Sequence, residues 1–312
     1  MTDLSRNAIE IRNLKKTYAA DGKSPEKTAL KGVDLDIPRG SIFGLLGPNG
    51  AGKSTIINIM AGLVVKSSGS VKIWDRDIDV NPRNSRAAIG IVPQEINFDP
   101  FFTPRKILDI QAGLYGVPKN ERLTMELLEM VELVEKADAH SRSLSGGMKR
   151  RLMMAKALVH MPPILVLDEP TAGVDVELRK MLWENVRRLN KQGMTILLTT
   201  HYLEEAEELC DYIAIINHGE IVANEEKETL LSRIDNKEIR FRFVNELGDI
   251  PASFDKYNPL KEGRRTLALR YSPQDQCVDD IIRAVQQMNN PIEDISTDDS
   301  DLEDIFLQIT RD

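Results

Sequence analysis

The chain has 312 residues, 41% of them hydrophobic and 29% charged, with a formal net charge of -8. That is an ordinary globular composition with room for one large domain or a larger and a smaller one. The acidic balance argues against general nucleic-acid binding, no apolar run is long enough to cross a bilayer, and MTDLSRNAIEIRNLKK lacks the apolar core of a signal peptide, so a cytoplasmic protein is expected.

In chain order, AIEIRN alternates and reads as a strand, AADGKSPEKT as a turn-rich loop, and LKGVDLDI as a second alternating strand. SIFGLLG is a buried strand that leads through a glycine-rich loop into the helix KSTIINIMAGLV. GSVKIWD and AAIGIVPQ are further strands. From 103 to 160 the pattern turns helical. Thr103 can cap and Pro104 can open PRKILDIQAGLYG, and ERLTMELLEMVELV and the segment after LSGG follow. Strand and helix then alternate again. PILVLDEP ends in acids, Asp175 can cap VELRKMLWENVRRLNKQ, and Gly193 can end it. TILLTT is another buried strand, and YIAIINHGEIVANE is a hairpin turning at His218-Gly219.

Continuous apolar strands separated by helices predict an α/β fold with a parallel sheet covered on both faces. A break near 230–237 divides the chain into a main domain, 1–232, and a small α+β domain, 237–312. The latter holds KEIRFRFV, RTLALRYS, CVDDIIRAVQQM, PIEDIS and DSDLEDIFLQI. Cys210 and Cys277 lie far apart without a CxxC pattern and read as free thiols of a reducing compartment.

Three stretches carry chemistry. Residues 47–55, GPNGAGKST, fit G-x-x-x-x-G-K-[ST] in full, between a strand and a helix. Gly47, Pro48, Asn49, Gly50, Ala51 and Gly52 form a loop whose backbone N–H groups can curl around phosphate oxygens. Lys53 adds a mobile charge, Ser54 offers a hydroxyl to Mg²⁺, and the helix start running through Thr55 favours an anion. In ILVLDE, the apolar run leaves Asp168 and Glu169 at the carboxyl edge of a sheet strand, where open α/β sheets bind ligands. Asp168 would hold Mg²⁺, directly or through water, and Glu169 would polarise the attacking water as general base. In LSGGMKRR, the bases Lys149, Arg150 and Arg151 occupy a helix first turn that ordinarily favours acids, so that end expects an anion.

The order GPNGAGKST, PQE with Gln94, LSGGMKRR, ILVLDEP, AGVD and TTH with His201 resembles the ATP-binding cassette (ABC) transporters over about residues 8–230. The resemblance implies a P-loop NTPase cassette: a mixed sheet with helices, an antiparallel β subdomain and an inserted helical subdomain at about 99–160. It implies Mg²⁺-dependent ATP hydrolysis coupled to transport. Tyr18 would stack on adenine, Gln94 would join the Mg²⁺ shell with Ser54 and Asp168, and His201 would contact the γ-phosphate and orient the water with Glu169. Ser145, Gly146 and Gly147 would cap the γ-phosphate held by a second copy, so the resemblance implies a homodimer. Asp175 would serve the dimer interface as well as the helix cap.

The membrane-spanning permease must then be a separate subunit, placing this chain on the cytoplasmic face of the inner or plasma membrane. The Gln94 loop and the surface near 95–110, with Phe98, Phe101 and Phe102, are its expected contact, although those rings also suit a core. LSGGMKRR and the tail DSDLEDIFLQI are similar to the exporter branch. The family's usual glutamine is Met148 here, which puts the ribose-side contact in doubt. Arg150 reads equally as part of the anion site or as a solvated surface residue. His140, His160 and His218 have no such context, and the methionines of MKRRLMMAKAL read as core. The rival reading is a soluble ABC ATPase of DNA repair or the ribosome. The former needs a long coiled coil between Gly52 and Leu144, for which the stretch is too short, and the latter usually two cassettes. A non-catalytic interaction module is disfavoured by the intact phosphate loop and Glu169.

Overall fold

IFGLL, ILVLD and TILLTT are buried at every position. Strands buried on both faces have no solvent side to alternate with, which is why their sequences run continuously apolar or β-branched. In the computed structural model these runs lie side by side. The residues described are 6–20, 25–97, 99–171, 176–232, 237–271, 276–298 and 302–310. They fall into two units, Met1–Lys227 and Glu228–Asp312.

The first unit begins with β1 (Asn7–Tyr18), β2 (Lys27–Pro38), β3 (Ile42–Leu46), α1 (Lys53–Met60), β4 (Ser68–Ile73), β5 (Arg76–Asp77), α2 (Pro82–Ala87) and β6 (Ile89–Val92). The helices α3 (Pro104–Leu114), α4 (Thr124–Met130) and α5 (Gly146–Ala157) come next and pack on one another, each with a fully buried leucine, Leu108, Leu128 and Leu152. Then follow β7 (Ile164–Asp168), α6 (Val176–Lys191), β8 (Thr195–Thr200), α7 (Leu203–Leu209), β9 (Tyr212–Asn217) and β10 (Glu220–Glu226). The short helix α8 (Lys227–Leu231) begins at the boundary, with all but its first residue in the second unit.

Two sheets share one core. The larger has the order β10-β9-β3-β8-β7-β6, with β9, β3, β8, β7 and β6 parallel and β10 antiparallel to β9. The smaller, β2-β1-β4-β5, is antiparallel, and its Ile9, Ile11, Val33 and Val71 pack in one cluster with Leu45, Ile56 and Val166. The fold is therefore the mixed α/β arrangement of a P-loop cassette. Register aligns the carboxyl edge of the sheet: Leu46 pairs with Thr200 and Asp168 with Thr199, so the carboxyl ends of β3, β7 and β8 finish together.

The local signals act as elementary chemistry requires. The Thr103 side chain accepts from the Lys106 N–H at 3.3 Å, with Pro104 in the first turn of α3. The β9–β10 turn holds His218 at φ 47 and Gly219 at φ 83, the two positive values a tight hairpin turn demands. Two helices are shorter than their apolar patterns. α1 ends ahead of Gly62 at φ 74, and α4 ends ahead of Glu132 at φ 55, each a left-handed residue that a helix cannot continue through. α2 and α7 are elements the patterning does not announce. Asp175, Phe98 and the AGVD segment lie outside the described residues.

The second unit contains β11 (Lys237–Phe243), β12 (Leu260–Glu262), β13 (Thr266–Tyr271), α9 (Val278–Gln286), β14 (Ile292–Asp298) and α10 (Leu302–Thr310). Its antiparallel sheet has the order β12-β13-β11-β14. Ile239, Phe241, Phe243, Leu267 and Leu269 cluster with Ile281 and Val285 of α9. The intervening positions carry ion pairs, Arg240–Glu238 at 2.6 Å and Arg270–Glu238 at 2.9 Å.

Candidate functional site

The loop 47–52 leaves β3 and enters α1. A Cβ on Gly47 would stand 2.3 Å from the Ile216 carbonyl oxygen, and Gly52, at φ 122, would place one 2.7 Å from Leu30 Cδ2. Only glycine lets the main chain pass at these two points. The loop thus delivers the N–H groups of the first turn of α1, which have no partner within the helix, to an anion. Lys53 is buried, and its Nζ donates to Gly47 O at 2.6 Å and Pro48 O at 3.3 Å. Burial pulls the Lys53 pKa down, while Glu169 and Asp168 act to raise it.

A cavity of 340 Å³ opens over this loop. It is lined by Tyr18, Asn49, Gly50, Gly52, Lys53, Ser54, Thr55, Gln94 and Glu169, together with Lys27 and Ala29 of β2. Gly47, Pro48 and Ala51 belong to the same loop without lining the cavity. Lys27 and Ala29 carry no motif, and only the fold brings them here.

The acids sit at the end of β7. Asp168 is buried, and its Oδ1 accepts from Thr199 Oγ1 at 2.5 Å. Burial raises its pKa, and the Thr199 hydrogen bond acts to lower it. Glu169 is held at φ 47, in the left-handed region that a glutamate rarely occupies. Its N–H donates to Thr199 O at 3.0 Å and lies 3.2 Å from Thr199 Oγ1. Its Oε2 meets two side chains from distant segments: Gln94 Nε2 donates at 2.8 Å, and His201 Nδ1 lies at 3.2 Å. This carboxylate is therefore oriented from two sides and can accept a proton from a water in the adjacent cavity.

Ser145, Gly146 and Gly147 are elsewhere. Ser145 caps α5, its Oγ accepting from the Met148 N–H at 3.2 Å. With Glu132, Met148, Arg151, Glu177 and Met181 they line a separate cavity of 640 Å³ that shares no lining residue with the first. Arg150 is neither a solvated residue nor part of that cavity. It is 4% exposed and turned inward, a correction to the surface reading: its guanidinium finds backbone carbonyls that need donors. Besides Lys27 and Ala29, two groups escaped the sequence reading. Thr199 is one, though TTH marks its strand. Glu205 is the other, a buried acid whose pKa burial raises and which accepts from Thr171 Oγ1 and Trp183 Nε1, both at 3.1 Å.

Among the described residues no three His, Cys, Asp or Glu side chains gather as a metal cage. Ser54, Gln94 and Asp168 offer a hydroxyl, an amide and one carboxylate, the sparse oxygen set with which Mg²⁺ is held jointly with phosphates. These residues fit that ion.

A glycine-rich phosphate loop on a central parallel strand, with carboxylates closing the strand two places along the same sheet, defines a P-loop nucleoside-triphosphate hydrolase. The comparisons narrow the class. The ABC transporter family profile matches residues 30–172. The chain is 42% identical over 228 residues to the linearmycin resistance ATP-binding protein LnrL of Bacillus subtilis (strain 168), covering 72% of this chain and 71% of that protein. It is 35% identical over 317 residues to the Nod factor export ATP-binding protein I of Ralstonia nicotianae, covering 97% and 93%. Among solved structures it is similar to an ATP-binding subunit of an ABC transporter, with a TM-score of 0.65 and 28% identity, covering 72% of this chain and 92% of that one. A dimeric post-hydrolysis structure of the cassette MJ0796 bound to ADP and Pi gives a TM-score of 0.62 at 28% identity, covering 70% and 98%. The chain belongs to the ATP-binding subunits of ABC transporters, and it is an ATPase.

Proposed function

We propose that the chain energises an ABC exporter as a homodimer in which two copies, head to tail, enclose two ATP molecules. The observation that carries this reading is the separation of the two cavities. Ser145–Gly147 have an anion-ready helix start that their own chain's phosphate loop does not use, and a two-fold pair would bring it to the other copy's loop. In this reading Tyr18 stacks on adenine, and the loop 47–52 with Lys53, Ser54 and Thr55 cradles the phosphates. Mg²⁺, held by Ser54, Asp168 and Gln94, would neutralise phosphate charge. Glu169 takes a proton as the water oxygen bonds to the γ-phosphorus, the bond to the β-phosphate oxygen breaks, and ADP and phosphate leave. Gln94 and His201 hold the Glu169 carboxylate in place, and His201 stands ready for the γ-phosphate. ATP binding closes the pair, and loss of the γ-phosphate bridge lets it open.

The pairing has a direct test. Lys53→Ala and Ser145→Arg chains are each inactive alone, whereas mixing them gives some pairs with one intact composite site. The mixture is expected to hydrolyse ATP faster than the sum of the two variants measured separately. No gain on mixing, with mixed pairs demonstrated by affinity tags, overturns the pairing.

Export is supported by the names of the relatives, a Nod factor export and a linearmycin resistance ATP-binding protein. No helix among the described residues is long and apolar enough to cross a membrane. In this reading the permease is a separate subunit and the chain works on the cytoplasmic membrane face. A groove of 430 Å³ receives the permease. Its lining includes Leu63, Ile91, Asn97, Tyr115 and Met153, and it lies beside the segment that follows Gln94. Phe101 and Phe102, further along that segment of the chain, are exposed. Leu63 is 78% exposed on the rim, and Leu63→Glu is expected to abolish co-purification with the membrane subunit while the isolated chain keeps its ATPase rate. Retained co-purification would move the docking surface elsewhere.

A further inference from the structure

Arg150 lies on the first turns of α5, five positions beyond the cap Ser145, yet it points away from the cavity that Ser145 lines. Its guanidinium is buried with five backbone carbonyls around it. Nε donates to Pro170 O at 2.9 Å. Nη1 donates to Pro93 O at 2.8 Å and Gln94 O at 2.7 Å. Nη2 donates to Glu169 O and lies 3.4 Å from Asp168 O. A guanidinium has five N–H donors, so each is matched by one acceptor. None of these acceptors is a side-chain carboxylate. Burial disfavours the charge, while the nearby carboxylates of Asp168, Glu169 and Glu205 favour it.

The choice of carbonyls is informative. They belong to Pro93 and Gln94 on one segment and to Asp168, Glu169 and Pro170 on another, which are the two main-chain stretches whose side chains meet at Glu169 Oε2. The Glu169 backbone is in the left-handed region, a conformation that carries strain for a non-glycine residue and persists only where its surroundings over-determine it. Thr199 fixes the Glu169 N–H, and Arg150 fixes the Glu169 C=O. One peptide group on either side of the strained Cα is thereby clamped.

We infer that Arg150 is a positioning residue for hydrolysis: it clamps the main chain of Glu169 in its left-handed conformation and sets the Gln94 segment against it. This rests on the assignment of Glu169 as the base. Lysine at 150 would keep the charge but offers three donors in place of five, leaving two carbonyls without a partner. Glutamine offers two and no charge.

The test uses the full-length chain. In Arg150→Lys, kcat is expected to fall about 10- to 100-fold, the range for lost hydrogen bonds from a charged donor, with ATP affinity by equilibrium titration within about 2-fold of native. The decisive readout is the same substitution in a Glu169→Gln background. There it is expected to slow the residual rate by less than about 2-fold, because a residue acting through the base has nothing left to position. An equal loss in both backgrounds assigns Arg150 a merely structural role and overturns the inference. So does native kcat in both Arg150→Lys and Arg150→Gln while Glu169→Gln is inactive. Native turnover by Glu169→Gln itself instead removes the base assignment. If Arg150→Gln does not fold, as judged by circular dichroism, the charge-retaining Arg150→Lys carries the test alone.

Discussion

Glu169→Gln is expected to bind ATP as the native chain does and to turn it over about 10²-fold or more slowly. The substitution is nearly isosteric, and the Glu169 N–H bond to Thr199 O, made by the main chain, is untouched. What changes is the side-chain oxygen that Gln94 and His201 hold from two sides, which no longer belongs to a group able to accept a proton. Loss of the acceptor and retention of the cavity separate chemistry from binding. Steady-state phosphate release beside equilibrium nucleotide titration measures both. A variant that turns over at the native rate removes Glu169 from its role.

Lys53→Ala is expected to lose nucleotide affinity itself, by about 10²-fold, or ~3 kcal/mol. The ammonium is buried beneath the loop and already desolvated, so its attraction for a triphosphate is little screened. It donates to Gly47 O and Pro48 O, and alanine removes that donor from both, Pro48 O keeping the Ala51 N–H. The pH dependence has a definite sign. Burial lowers the Lys53 pKa, so the charge is lost on the alkaline side sooner than at a surface lysine, and ATP binding weakens as pH rises. That alkaline limb is expected to vanish in Lys53→Ala. Titration with ATP at two pH values reads it, and an unchanged affinity at neutral pH refutes the role given to Lys53.

Much of this was legible in the chain because it is encoded locally. The phosphate loop needs glycines at fixed positions, and Gly47 and Gly52 indeed have no space for a side chain. The buried strands IFGLL, ILVLD and TILLTT declare themselves by unbroken apolar or β-branched runs, and the hairpin by His218-Gly219. The helix ends were less legible. Glu132 at φ 55 stops α4 in the middle of an apolar pattern, a choice made by packing and not by the residue's own preference.

By itself, the sequence determined the class: the order of short motifs, each tied to a local backbone geometry, is enough to specify a P-loop ATPase cassette of the ABC type. Only the tertiary structure decided how distant side chains use one another. That Gln94 and His201 converge on one oxygen of Glu169, that Lys27 and Ala29 complete the cavity, and that Arg150 turns inward to five carbonyls depend on sheet order and on the register of β3, β8 and β7. The physical reason is range. A turn or a strand is settled by neighbours in the chain, whereas the partner of a buried cation is whichever carbonyl the packed fold leaves without a donor.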